Sequence, residues 1–436
     1  MSARLHLSSK VILLLVSLLF FQADGFADPI SSAIKSLEKG KHEKVESTLT
    51  KALDKNQINP GAYYVYSLLY FDSTYVGCNL DSAHNSIEYA LQQLPLVDSL
   101  EGVPLEKAKL TDNDLVEQKS LVDRGAFSRA SEQNSVASFQ FFIDHYSNAP
   151  QLANAISRRD QLAFEIASKE NTYDSYLQFL ETYPESHQAP MARKRYDLLV
   201  FQSKTENGKL QQFLDFLKEH PNTPYREQAE WQIMQLSTLS DDREDYVSFR
   251  QEFPKSKHVS TIDDILYHLD KSMFMSSGRV TDSLKSAYQL ESTALIPIYE
   301  DGKYGFIDKF GIDQISPVFD SIPEFYLCQL LEQDVLQAFI DEKLVLISRN
   351  QKILWEKPFD NVEDLGRGLL KIQQGRQYGI LHKSGWLILD LVYDQIEIID
   401  GSLFAIQKDS HWGIASMTGK IILKPTLTSI QQAGGF

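Results

Sequence analysis

Two hydrophobic periods divide the chain. From Pro29 to about Ser272 the apolar residues recur at helical spacing, with turn signals every 12 to 20 residues. From Leu295 onward the apolar runs shorten into β-rich segments. The first half predicts helices at residues 31–39 and 42–55, after which Asn59-Pro60-Gly61 breaks the chain and sets Pro60 where a helix can begin. A tyrosine-rich helix is expected over 62–71, and Asp81 is expected to cap the next, which runs to about Leu94. Residues 112–130 also read as helical but match no repeat.

Further along, the helical pattern recurs at nearly fixed steps. Phe142, Phe179, Phe216 and Phe249 are separated by steps of 37, 37 and 33, and Tyr146, Tyr183, His220 or Phe253 follows each by four residues. Rings one turn apart share a helix face. Pro184, Pro221 and Pro254 come next and end the helix; Ser186, Thr223 and Ser256, two residues beyond, are expected to start another. The unit is helix, tight turn, helix.

The second half carries a different repeat. An aromatic-glycine pair occurs at Tyr304-Gly305, Tyr378-Gly379 and Trp412-Gly413, with Gly311, Gly385 or Gly419 seven residues after the aromatic. Phe319-Asp320 and Tyr393-Asp394 close two copies, and a degenerate copy holds Leu344-Val345, Gln351 and Phe359-Asp360. Counting Leu344, the copies recur at steps of 40, 34 and 34. Each predicts three short strands; in the last they fall at 403–408, 412–416 and 420–423. Glycine in a strand lets a neighbouring backbone or ring come close, and glycine in a turn adopts positive φ at low cost. Tyr304, Tyr378 and Trp412 are therefore expected to be packing elements first, with a row of ligand-facing rings as the alternative. The aspartates at 320, 360 and 394 read as turn caps rather than calcium ligands.

Composition is globular, with 43% hydrophobic and 23% charged residues, and 436 residues call for more than one core. Residues 1–27 read as a cleaved secretory signal: Arg4 and Lys10 precede an apolar run at 11–21 broken by Ser17, and Gly25-Phe26-Ala27 offers small residues for cleavage. That run is short of the ~20 residues that span a bilayer, and no later stretch is long or apolar enough. Cleavage removes two basic residues and one acidic one, moving the formal net charge from −16 to −17. Such a surface repels nucleic acid and anionic lipid. Cys78 and Cys328 are expected in different domains and unbridged.

No catalytic constellation emerges. The ten histidines form no HExxH or spaced Cys/His cluster, and no GxSxG, Walker or Rossmann motif is present. Gly366-Arg367-Gly368 lacks a third glycine and reads as a turn, while Asp263-Asp264 reads as the acidic start of a helix. No catalytic, cofactor or metal residue is expected.

Two resemblances follow from these residues. Tyr183-Pro184-Glu185-Ser186, with Ala189 and Ala192, resembles the turn and small-residue helix of tetratricopeptide-like proteins of bacterial envelopes, over 134–272 and more loosely over 31–98. The signature tryptophan and glycine pair of the commonest such consensus are absent. Residues 303–309 and Trp412-Gly413-Ile414 resemble WG repeats, β-rich units common in exported bacterial proteins, over 292–430. The expected fold is multi-domain α + β: a tetratricopeptide-like solenoid of helical hairpins, then an antiparallel β-repeat module. Its boundaries are a signal peptide at 1–27, helices at 28–98, a helical connector at 99–133, helical repeats at 134–272, a linker at 273–291 and four WG-type repeats at 292–436. The resemblance implies a periplasmic, outer-membrane-associated or secreted scaffold or adaptor for envelope or secreted proteins, without catalysis of its own. The alternative is a glycan or peptidoglycan binder using Tyr304, Tyr378 and Trp412.

Overall fold

The computed structural model describes residues 28–97, 102–277, 280, 282–399 and 401–430; the expected signal peptide lies outside them. Helices fill the first part of this chain and four small antiparallel sheets the second. Contacts divide it into two compact units, Met1–Tyr196 and Asp197–Phe436. The first contains α1 (Pro29–Leu37), α2 (His42–Lys55), α3 (Pro60–Phe71), α4 (Leu80–Gln93), α5 (Asp112–Gln133), α6 (Val136–His145), α7 (Leu152–Glu170) and α8 (Tyr173–Thr182), and α9 (Ala189–Lys204) runs across the division. The second adds α10 (Leu210–Glu219), α11 (Arg226–Ser237), α12 (Arg243–Glu252), α13 (Val259–Leu269), α14 (Lys271–Ser276) and α15 (Asp282–Glu291). Among the described residues no helix is long and apolar enough to cross a membrane.

In the first unit α1 to α4 enclose a core that includes Ile30, Leu49, Val65 and Ile87. Pro60 opens α3 as its spacing predicts, with Asn59 accepting the Ala62 N–H at 3.0 Å. The start of α4 departs from expectation. Asn79 is its cap, accepting the Ser82 N–H at 2.8 Å, which frees Asp81 for Arg129 at 2.6 Å and the Tyr146 hydroxyl at 2.5 Å. Burial works against the Asp81 charge, but these two donors hold its carboxyl below the usual range.

The stretch that matched no repeat supplies the first copy of a recurring ring cluster. Phe127 of α5 meets Phe142 edge to face at 5.6 Å; Phe164 meets Phe179 at 5.6 Å and Phe201 meets Phe216 at 5.2 Å in the same way. Helix ends recur with them. Asn134, Asn171, Gly208 and Asp241 all take positive φ, and they recur at the same steps as the rings. The Asn134 and Asn171 side chains each accept an arginine 24 residues on, Arg158 and Arg195, at 3.0 Å. The hydroxyls after the prolines do not cap the next helix. Ser186, Thr223 and Ser256 instead accept the N–H two residues later, each at 3.2 Å, forming a turn that leads into α9, α11 or α13. The shorter last step reflects one shortened helix: α11 has 12 residues where α9 has 16.

The sheets are meanders. The first contains β1 (Ile296–Glu300), β2 (Lys303–Ile307) and β3 (Asp313–Phe319); the second β4 (Val335–Ile340), β5 (Lys343–Ser348) and β6 (Ile353–Trp355). The third contains β7 (Asn361–Gly366), β8 (Leu369–Gln374), β9 (Gln377–His382) and β10 (Leu387–Tyr393), and the fourth β11 (Gln395–Ile399), β12 (Leu403–Lys408), β13 (His411–Ser416) and β14 (Ile421–Leu427). The last two sheets thus exceed the expected three strands by one. Successive sheets share cores: Phe306 with Leu336, Leu346 with Leu381, and Ile380 with Phe404 belong to three such clusters.

The aromatic-glycine pair has a backbone explanation. Tyr304, Tyr378 and Trp412 lie directly opposite Phe319, Tyr393 and Leu427, beside a bulge in the partner strand. A methyl at Gly305, Gly379 or Gly413 would stand 2.7, 2.9 or 2.4 Å from a carbonyl oxygen of that strand. Where Val345 replaces the glycine, β6 ends at Trp355 and the partner position Phe359 falls outside it. The loop after the pair is the same in all four copies: Gly311, Gln351, Gly385 and Gly419 take φ of 79°, 65°, 89° and 83°.

The segment expected to be a linker contains the end of α14 and all of α15. It is fixed by side chains from the sheets. Arg349 donates to the carbonyls of Leu290, Thr293, Leu331 and Gln333, and Lys271 pairs with Glu291 at 2.7 Å and Asp334 at 2.9 Å.

Candidate functional site

Within the second unit, α13 and α15 face the turns after β5 and β9 across a cleft of about 460 Å³. Its walls are polar, and most of the charge is internally balanced. Asp263 pairs with Arg250 at 3.0 Å, and Asp334 accepts both Lys271 at 2.9 Å and Lys383 at 3.0 Å. Glu291 accepts the Tyr267 hydroxyl at 2.5 Å as well as Lys271. Burial opposes the Asp334 charge, but the two lysines hold its carboxyl below the usual range. Asp263 and Asp264 sit in the middle of α13 rather than at the helix start the sequence implied. Burial lifts Asp264 to about 6, with Lys352 pulling the other way. A group poised there exchanges its proton close to neutrality.

Beyond the cleft the seam between helices and strands is closely packed. The Arg367 side chain pairs with Asp241 and also donates to its carbonyl at 3.2 Å. Asp241 holds the helix-end position occupied by Asn134 and Asn171 in earlier copies, while Ile265 stands where Arg158 and Arg195 stood. The arginine therefore arrives from the turn between β7 and β8. Trp231 meets Trp386 edge to face at 5.4 Å, and Gln235 donates to the Thr418 carbonyl at 3.1 Å. His268 and His382 face one another with centroids 4.9 Å apart. Burial lowers the His268 pKa and puts that of His382 well below the ordinary histidine value.

Tyr304, Tyr378 and Trp412 lie in three different sheets and are half-buried. Tyr304 packs against the core of the first two sheets and Tyr378 against that of the last two. Two of the repeat aspartates close turns: Asp320 accepts the Asp341 N–H at 2.6 Å and Asp360 the Gly375 N–H at 2.5 Å. His220 lies tilted against Phe216 with ring centroids 5.2 Å apart. Cys78 and Cys328 are free and exposed. Among the described residues no group of three His, Cys, Asp or Glu side chains is placed to hold a metal. Gly366-Arg367-Gly368 is a turn with positive φ at all three residues, but its arginine is a principal tie across the seam, which the motif did not disclose.

No protein-family model matches the chain, and no curated protein matches it.

Proposed function

We propose that this protein is an exported scaffold or adaptor that binds envelope or secreted proteins and performs no chemistry of its own, with a tetratricopeptide-like solenoid and a WG-type β module as its binding frames. The observation that supports this best is apolar exposure in the first sheet and the turn after it. Phe310, Phe325, Leu327 and Leu330 are 77%, 56%, 51% and 58% exposed and lie close together in the sequence, whereas most of the charge in the cleft is paired internally. Large apolar side chains left exposed on a folded surface are available for protein contact. Asp263, Glu291 and Asp334 of the cleft are paired with bases rather than aimed at a nucleophile, which favours binding over catalysis.

The test compares the mature chain with the Phe310→Ser/Leu330→Ser double variant in capture from envelope extracts. Loss of specific partners, with unchanged circular dichroism, is the expected result. Equal capture by both chains, or hydrolysis of envelope substrates by the purified protein, would sink the proposal.

A further inference from the structure

The two histidines at the seam belong to neither the cleft's ion pairs nor the exposed apolar surface, and their geometry is that of a device. We propose that His268 and His382 form an acid-sensitive latch that releases α13 from β8 and β9 when the rings take up protons. The rings meet at 84°. Gly368, at φ +82°, lies against both, and a methyl there would stand 2.6 Å from His382 Nε2 and 2.7 Å from His268 Cβ. Neither a counter-ion nor a larger side chain fits at that point.

The ring partners define where a charge would fail. His382 Nδ1 lies 2.8 Å from the Ser384 hydroxyl and 3.1 Å from the Ser384 N–H, while Nε2 is buried with no partner. The charged ring carries a proton on both nitrogens, and at Nε2 nothing accepts it. His268 Nδ1 faces the Asp264 carbonyl oxygen at 2.8 Å and must donate to it, leaving Nε2 as the site for its second proton.

The surroundings do not welcome that charge. Lys383 and Lys352 face His382 from the turns after β9 and β5, and Lys383 and Lys271 face His268. The acidic neighbours are engaged: Glu291 by Lys271 and Tyr267, Asp334 by Lys271 and Lys383, and Asp364 by Lys383. Asp241, along the same seam, is held by Arg367 and the Tyr246 hydroxyl. Asp264 takes up its own proton at about 6, so its negative charge fades as the rings begin to titrate. An unfolded histidine protonates near 6.5, whereas burial holds these two below it. Their contribution to stability is complete above that pH and is lost as pH falls.

The repeat itself supplies a clean variant. In the other copies the residue at the 382 position is Asp308, Ser348 or Ser416, and each accepts an N–H of the same loop through an oxygen. His382→Asn keeps an acceptor for the loop and removes the titration. Trp386, 6.3 Å from His382 and packed on Trp231, reports on the seam. In the mature chain, tryptophan emission is expected to change reversibly below about pH 6 while far-UV circular dichroism is retained. His382→Asn and His268→Asn should each move that midpoint down by about one pH unit, and His411→Asn, at an exposed site, should not. Should His382→Asn fail to fold at pH 8, His268→Asn carries the test. Identical titrations in wild type and the folded variants overturn the latch, as does simultaneous loss of emission and ellipticity at a pH that the variants leave unchanged.

Discussion

At Gly413 an added methyl would stand 2.4 Å from the Leu423 carbonyl oxygen and 2.7 Å from the Pro425 nitrogen. Both neighbours are backbone, so the bulged strand itself must move. Gly413→Ala is therefore expected to destabilise the protein by about 2 kcal/mol, measurable as a lower urea midpoint with unchanged slope. Gly302, with positive φ but open space around its would-be Cβ, pays only the conformational cost on the same substitution, about 1 kcal/mol. If the two variants lose equal stability, close approach is not what the strand glycine provides. The requirement was legible in the sequence because it repeats in three copies at fixed distance from a turn glycine. The identity of the approaching atoms was not. A bulge in the partner strand is a property of pairing, not of either strand alone.

Among the elements, legibility followed the strength of local signals. Phe142, Phe179, Phe216 and Phe249 announced their helices because proline and a hydroxyl residue follow at least three of them. Phe127 of α5 carries no such punctuation, and only its contact with Phe142 places it in the series. The joint between helices and strands was not legible at all. Asp241 meets Arg367 and Gln235 meets Thr418 across sequence separations of 126 and 183 residues, and no periodicity links such pairs. The expected break at 273–291 is correspondingly a place where side chains converge. Residues 197–430 are predicted to unfold cooperatively as a separate fragment. Residues 292–430 alone, lacking the helices that cover Trp386 and pair with Arg367, should show red-shifted tryptophan emission and rapid proteolysis. A protease-resistant 292–430 fragment with native emission would refute that dependence of the sheets on the helices.

For the whole molecule, acid and base pull the second unit in opposite directions. Asp264 is raised from 3.8 to about 6 by burial, so it favours the folded state most when protonated, and that advantage disappears as pH rises through 6. Asp264→Asn should therefore stabilise the protein by about 2 kcal/mol at pH 7.5, with the gain vanishing towards pH 4; urea titrations at the two values check it, and a gain independent of pH would contradict it. The histidine pair works the other way, losing stability on acidification from 6.5 downward, so the two effects oppose one another over the same acid range. The shortened α11, with 12 residues against 16 in α9, bears on how such a chain tolerates change in length. Four residues turn a helix through about 400°, leaving the downstream chain only about 40° from its former phase and about 6 Å nearer. Restoring them would keep the buried rings facing inward but carry Gln232 and Gln235 away from Lys420 and Thr418, their partners in the last sheet. Inserting two would turn the buried face towards water. Insertions and deletions in these helices are thereby confined to whole turns, and in α11 to none.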